Sequence, residues 1–447
     1  MRLHVTDVTG ERTGAWEGRP RGGHGERREG ELTVRRIGDF AGLAALREPW
    51  RALHQRVNSR NPYAAPEWSE VWARHFSSER ELNVLAVERG PELVGVAPCY
   101  LRRFGPALRT VHLLGAGRHD ELTELPAVLC ATQDARTVLR AVVRHWCGRS
   151  AEWDWLDLPL GAEQGWLEPE WLSGPVALRG LIRHRTTRPS VVLPLPASVE
   201  ALRPGLKRNV KESVRRGRNR LNRSGREWTV TTHRSPSQVA RALPWLAELH
   251  AARAQLAGRR RHGDVLADPR HRDFLAEVLP LLAEQGRAEI LTLDVEDRPV
   301  AALLVLHAPG AGYLGVSGVD PDWWSVSPVT LLQLTAAENA VRYGRGEFNL
   351  SLGPDVAKLR WSEQIVQHPE FTVCGPSTRS RAGYTAYAAA AAVAGVRREA
   401  ARHRIRGEST NSTATNSAGT NSAGTDGKGV SGKGTDSKGK EGIHGGQ

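Results

Sequence analysis

The residues best equipped for chemistry fall between His250 and Trp361. A strand expected over 347–352 alternates, with Phe348, Leu350 and Leu352 on one face and Glu347, Asn349 and Ser351 on the other. Such a polar row suits the wall of an acceptor cleft, and it also reads as a solvated edge. Glu347 can take up a proton, as can Asp320 upstream, whereas the amide of Asn349 cannot act as a base. Lys358, Arg360 and Trp361 follow closely and offer two cations beside an apolar plane, a set suited to an anionic or sugar-bearing ligand. Their plainer reading is a packed Trp among surface charges. His250 and Arg253 lie three residues apart on one expected helix, share a face and are candidates for the same cleft, with a structural histidine as the alternative.

A second constellation begins at Ser327-Pro328. Serine is a good N-cap, proline suits the first helical position, and Gly344 suits the far end of a helix reaching about Tyr343. Leu331, Leu334, Ala337 and Val341 supply its buried stripe. The helix follows a strand and a polar loop from Ser317 to Val326. Its N-terminus, with Ser317, Ser327, Val329 and Thr330 nearby, is therefore placed for a pyrophosphate. The four cysteines (Cys99, Cys130, Cys147, Cys374) have no metal-ligand spacing and read as small buried hydrophobes, so no metal is expected.

The elements that must position these residues repeat. Sliding the chain against itself by 196 residues sets Glu31-Leu-Thr-Val34 on Glu227-Trp-Thr-Val230, each followed by a helical segment ending near a Trp and a His (Trp50/His54; Trp245/His250). Hairpins follow in both copies: Leu82–Val87 with Leu93–Leu101 across Gly90-Pro91, and Ile290–Val295 with Val300–His307 across Asp297–Pro299. A further strand comes next in each (Thr110–Leu114; Gly312–Val316). The order predicts two α/β units, each a mixed central sheet flanked by helices.

Asn61-Pro-Tyr-Ala-Ala-Pro-Glu-Trp68 with Trp72, Leu93–Tyr100, Leu249-His-Ala-Ala-Arg253, Gly318-Val-Asp-Pro321, and Gly346–Gly353 with Lys358-Leu-Arg-Trp361 together resemble the CelD/BcsL-type acetyltransferases of the GNAT superfamily. These are similar to FemAB-type transferases in having two tandem GNAT-like domains. The resemblance spans residues from about 31 to 375. It implies acyl transfer from acetyl-CoA or another acyl-CoA to an amine or hydroxyl. It places the catalytic groups among Glu347, Asp320, Asn349 and Lys358, the cofactor contacts at Ser317, Ser327, Val329 and Thr330, and acceptor contacts at His250, Arg253, Arg360, Trp361, Tyr63 and Trp68. The acceptor implied is a small molecule or cell-envelope precursor. Two rivals remain: a FemAB-like transferase using aminoacyl-tRNA, and a non-catalytic binding protein. The chain departs from the family pattern at Asn349, Ala357 and Val329, where Asp, Tyr and Gly are common.

The expected organisation is a disordered leader (1–30), an N-terminal GNAT-like domain (31–190), a C-terminal acyltransferase domain (191–380) with a basic helix over 203–224, an Ala/Arg-rich helix (381–406) and a disordered tail (407–447). The net charge of +13 is concentrated: from Arg203 to Arg226 ten Lys/Arg face one acid, Glu212, so nine of the thirteen charges sit there. On that helix Leu206, Val210, Val214 and Leu221 form an apolar stripe, weakened at Gly217, and its cations suit RNA, anionic headgroups, coenzyme A phosphates or water. The longest apolar stretch, Tyr387–Val396, is short of the ~18 residues of a spanning helix. A cytoplasmic protein, with at most peripheral membrane contact, is expected.

Overall fold

In a computed structural model the described residues are 32–104, 108–117, 121–161, 182–256 and 263–393. The expected leader and tail, and the part of the Ala/Arg-rich helix beyond 393, lie outside them. Residues up to Tyr384 form one compact unit. A helix over 378–393 carries the chain onward from it.

Among the described residues thirteen strands make one mixed sheet. In the first half these are β1 (Leu32–Ile37), β2 (Leu82–Arg89), β3 (Glu92–Phe104), β4 (Leu108–Leu113), the two-residue β5 (Leu129–Cys130), β6 (Trp155–Pro159) and β7 (Ile182–Pro194). The second contributes β8 (Trp228–His233), β9 (Ala288–Val295), β10 (Arg298–His307), β11 (Ala311–Val319), β12 (Glu347–Leu352) and β13 (Ile365–Cys374). The order across the sheet is β1-β2-β3-β4-β6-β13-β7-β12-β11-β10-β9-β8. Read inward from either edge, the same pattern appears: three antiparallel pairings, one parallel pairing (β4 with β6, β11 with β12), then an antiparallel partner.

That last partner is exchanged. β7 follows β6 in the chain but pairs with β12, and β13 follows β12 but pairs with β6; β7 and β13 then pair with each other. The repeat expected from the sequence is thus a repeat of pairing pattern, with the sixth strands swapped. The boundary expected at 190/191 falls inside β7. Both hairpins form where expected, turning at Gly90 (φ 58°) and at Glu296 and Asp297 (φ 50° and 62°), left-handed positions suited to two-residue turns.

Helices cover both faces. On one, α1 (Phe40–Arg56), α2 (Pro66–Phe76), α6 (Pro236–Ala254) and α7 (Pro269–Glu284) share a core with Tyr63, Trp68, Tyr100 and Tyr313. On the other, α3 (Ala135–Cys147) packs over the first half, and α4 (Val199–Gly205), α5 (Arg208–Arg223) and α8 (Pro328–Arg342) over the second. The short α9 (Val356–Leu359) follows β12. Among the described residues no helix is long and apolar enough to cross a membrane.

The basic helix expected over 203–224 is broken at Leu206 and Lys207, which are extended between α4 and α5, and α5 docks by its stripe, burying Val210, Val214 and Leu221. Gly217 is buried in the same row, and a Cβ there would stand 2.6 Å from the Val326 carbonyl oxygen. Rather than weakening the helix to no purpose, this glycine permits close approach of α5 to the turn over 321–326. The equivalence of Trp50 and Trp245 fails in packing: Trp50 is 1% exposed and Trp245 38%.

Candidate active site

β11 and β12 run parallel and pair only from Ala311/Glu347 to Tyr313/Asn349, after which they part. β11 continues along β10, with a register shift between Leu303 and Val305, while β12 kinks at Ser351, held at φ 75°. The even alternation expected over 347–352 therefore ends at Leu350, and Ser351 turns toward the gap.

A carboxylate from the other half fills the mouth of this gap. Glu124 accepts hydrogen bonds from the Tyr313 hydroxyl (2.6 Å), the Ser351 hydroxyl (2.7 Å) and the Leu352 amide (3.0 Å). Tyr63 stands edge-on to Tyr313, ring centres 5.2 Å apart, and edge-on to Trp68 at 4.9 Å. Burial pushes both tyrosine hydroxyls well above their usual range, and the Glu124 charge adds to it, so both stay protonated. Lys358 reaches back from α9 to donate to the Leu352 carbonyl; burial lowers its pKa, against the pull of Glu124 and Asp355.

Above the gap, His250 Nδ1 lies 2.9 Å from the Ser317 carbonyl, and Arg253 donates to the Ser317 hydroxyl at 2.6 Å. Burial also depresses the Arg253 guanidinium, with Asp355 opposing. α6 approaches β11 this closely because residue 318 is glycine, where a Cβ would meet the His250 nitrogen at 2.4 Å.

The expected site residues thus divide. Lys358 stands at the mouth, Tyr63 packs against its Tyr313, and Ser317, His250 and Arg253 cluster along the continuation of β11. Glu347 sits at the opposite end of β12 from Leu352, where it faces Arg60 at 3.5 Å. Asp320 caps the turn over 321–326 by accepting from the Asp322 amide (3.1 Å). Asn349 is 5% exposed, donates to the Ser190 hydroxyl (3.2 Å) and accepts from the Ser351 amide (2.9 Å), so it shapes the kink.

Trp361, 5% exposed, is packed in the core with α5 and α8, so the ligand-stacking plane expected of it is not available. Arg360 donates to the Asn209 carbonyl on α5 (3.2 Å), away from the mouth. Trp68 is likewise a core residue, its indole donating to Thr123 (2.9 Å). Ser327 stands at the start of α8 but in a left-handed conformation (φ 55°, ψ 49°) with no side-chain cap, contrary to the capping role expected of it. Val329 and Thr330 lie half-buried in the first turn of α8, and the Thr330 amide bonds the Ser327 carbonyl.

Glu124 and Tyr313 were not among the residues singled out by sequence, whereas Ser351 was, as part of the polar row on β12. Glu124 lies 189 positions from Tyr313, on a loop with no motif of its own, and only the sheet brings them together.

A polar seam continues from the mouth along the same face of the sheet. Asn349 bonds Ser190 of β7, whose hydroxyl lies 2.9 Å from His368 Nε2 on β13. Farther along, Thr372 of β13 donates to Asp157 of β6 (2.7 Å), and Asp157 lies 3.3 Å from His112 of β4. Thr372 faces Asp157 across β13 and β6 at the register where Val192 faces Asn349 across β7 and β12, so the two halves differ in their polar contacts here. Among the described residues no group of three or more His, Cys, Asp or Glu is arranged to hold a metal.

The family model for the acetyltransferase (GNAT) domain matches residues 208–359, which hold β11, α8, β12 and α9. Among solved structures, FemX is similar at 12% identity, with 73% of this chain and 96% of that one covered and a TM-score of 0.52. A conserved protein of unknown function from Bacteroides thetaiotaomicron is similar at 12% identity (74% and 97% covered, TM-score 0.47). So is the C-terminal domain of a putative lysylphosphatidylglycerol synthetase from Agrobacterium fabrum, also at 12% identity (77% and 96%, TM-score 0.46). No curated protein matches in sequence. Residues 208–359 are accordingly an acetyltransferase (GNAT) domain, and the α/β chain that holds them, folded like FemX, is a transferase.

Proposed function

We propose that the chain transfers an acyl group from an acyl-CoA to a small amine at the gap between β11 and β12. The observation that carries this reading is the Tyr313–Glu124 hydrogen bond at the mouth, a proton donor and a carboxylate held 2.6 Å apart where the two strands part. When bound, the thioester supplies an electrophilic carbonyl and a thiolate leaving group. The residues fit such a donor. In the first turn of α8 Pro328 has no N–H and the Thr330 amide is bonded to Ser327, which leaves the Val329 amide to offer a pyrophosphate, and Arg220, which donates to the Ser325 carbonyl, brings positive charge beside it.

Proton movement follows from the contacts. As the amine nitrogen bonds to the acyl carbon and the C–S bond breaks, Glu124 takes the proton the nitrogen sheds. Tyr313 gives its hydroxyl proton to the departing sulfur and regains one from Glu124, leaving amide and thiol as products. Lys358, beside the same carboxylate, balances its charge. Ser351 and the Leu352 amide hold Glu124 in place.

Isothermal titration of the full chain with acetyl-CoA and longer acyl-CoAs tests this. Saturable binding, followed by thiol release with an amine, is the expected outcome; no binding at sub-millimolar concentration overturns it. A second reading, aminoacyl-tRNA as donor, is favoured by the exposed Arg208, Arg218 and Arg223 on α5. Charge reversal at these three would then abolish tRNA binding, while under the first reading acyl transfer to a free amine survives.

A further inference from the structure

Nearly all the positive charge of this chain is arginine. Seven of its 62 cationic residues are lysines, four of them between 428 and 440, and among the described residues there are three, Lys207, Lys211 and Lys358. Lys207 is paired with Glu363 at 2.7 Å, and Lys211 is exposed on α5 with its ammonium on the Pro204 carbonyl (3.1 Å). Lys358 alone of the three is half-buried at the mouth of the gap, with its ammonium on the Leu352 carbonyl.

The aim of this side chain is fixed by the turn that carries it. Gly353, at φ 82°, takes the chain out of β12 with its amide held by the Pro189 carbonyl (2.8 Å), and Asp355 then caps α9 by accepting from the Lys358 amide (2.9 Å). Helical side chains lean toward the N-terminus of their helix, so Lys358 points back along the chain to Leu352. The amide of that same Leu352 donates to Glu124 (3.0 Å), which accepts the Tyr313 hydroxyl (2.6 Å). One residue of β12 thus joins an amine to the base and the proton donor of acyl transfer. Burial lowers the pKa of Lys358, so more of it is free amine than of a surface lysine. In the neutral form one N–H still holds the Leu352 carbonyl, and the lone pair is left for bonding. A guanidinium would balance Glu124 as well and would keep its proton. In a chain that uses arginine almost everywhere else, lysine at this position brings a nucleophile.

Resting on the acyl-transfer reading above, we propose that Lys358 is a self-acylation site: with donor bound and no acceptor in the mouth, its Nζ takes the acyl group. The ammonium first gives one proton to water. Nζ then bonds to the acyl carbon as the C–S bond breaks, and sheds its second proton to Glu124. Tyr313 protonates the departing sulfur and recovers a proton from Glu124. The products are an amide at Lys358 and the free thiol of coenzyme A. The remaining N–H of that amide can go on holding the Leu352 carbonyl, so the fold is kept. What changes is the mouth: the cation beside Glu124 is gone, and an acyl group stands where an amine would enter. Donor in excess of acceptor therefore closes the site covalently.

The full chain incubated with acetyl-CoA and no amine should gain an acetyl group at Lys358, located by peptide mass spectrometry, with Lys211 as the reference for uncatalysed acylation. Lys358 should be modified at least about tenfold faster than Lys211, given what a positioned base contributes. Glu124→Gln distinguishes a reaction of the site from a merely reactive lysine. The Glu124 carboxylate helps Lys358 keep its proton, so a lysine that reacts only because it is poorly charged would react faster without it. Acylation through the site should instead slow by at least about tenfold, with the rate at Lys211 unchanged. Preincubation with acetyl-CoA should also lower the parent's transfer to an added amine, while Lys358→Arg, whatever its starting rate, should show no such decline. Lys358 modified no faster than Lys211, or undiminished in Glu124→Gln, would overturn the proposal. If acetyl-CoA binds and an added amine releases thiol while Lys358 stays unmodified, the acyl-transfer reading stands and only self-acylation fails. If no acyl-CoA binds, both fail.

Discussion

In the proposed reaction Tyr313 and Glu124 divide between them the two tasks of acyl transfer, giving a proton and taking one, and Tyr313 has a distinct removal signature. Tyr313→Phe keeps the ring that packs against Tyr63 and deletes the donor. We expect kcat to fall by roughly 10²-fold with little change in KM, measured by thiol release, and a variant as active as the parent would exclude Tyr313 from proton transfer. Two buried histidines make a prediction about stability. Burial holds His54 and His368 down to about 4, below the ordinary 6.5, so both are neutral in the fold and protonate more readily in the unfolded chain. The stability they permit is present above pH 6.5 and is lost as pH falls toward 4, each contributing on the order of 3 kcal/mol across that window. The urea midpoint should drop across this range, and His368→Asn should flatten the slope. Loop residues such as Glu124 were illegible in the sequence because their role exists only through contacts hundreds of positions away. Lys358 was legible because it follows a strand by a short, fixed interval.

At the level of elements, periodicity and turn chemistry were sufficient for the hairpins, α5 and α8, whose apolar spacing has one solution each. What periodicity could not express was a local left-handed residue. Ser327 and Ser351 both adopt positive φ without being glycine, and these two positions spoiled the expected N-cap and the expected alternation. Gly217 shows the converse: a residue that weakens a helix in isolation is required by what packs on it. Gly217→Ala would drive a methyl into the Val326 carbonyl and should destabilise the protein by about 1–3 kcal/mol, seen in the urea midpoint. It should also shift the start of α8, raising the acyl-CoA dissociation constant more than it lowers kcat. An unchanged midpoint would mean that α5 does not sit this close.

Across the whole molecule, the swapped sixth strands make the halves inseparable. A chain beginning at 195 would lack β6 and β7, leaving β12 with one open edge and β13 without either neighbour. Such a fragment should be insoluble or lack a cooperative transition, whereas residues 32–393 should unfold in one step by circular dichroism and tryptophan fluorescence alike. The sequence repeat foretold two units of like order, and its few matching residues carried no sign of the exchange.

The exchange also sets a timetable for synthesis. β6 leaves the ribosome with its inner edge unpaired and waits for β13, about 200 residues later. At about 5–20 residues per second that is on the order of 10–40 s. Throughout that time the first half presents a strand edge whose native partner has not yet been made. A nascent chain stalled before residue 365 should therefore be a client for holding chaperones, and release should depend on the arrival of a single strand.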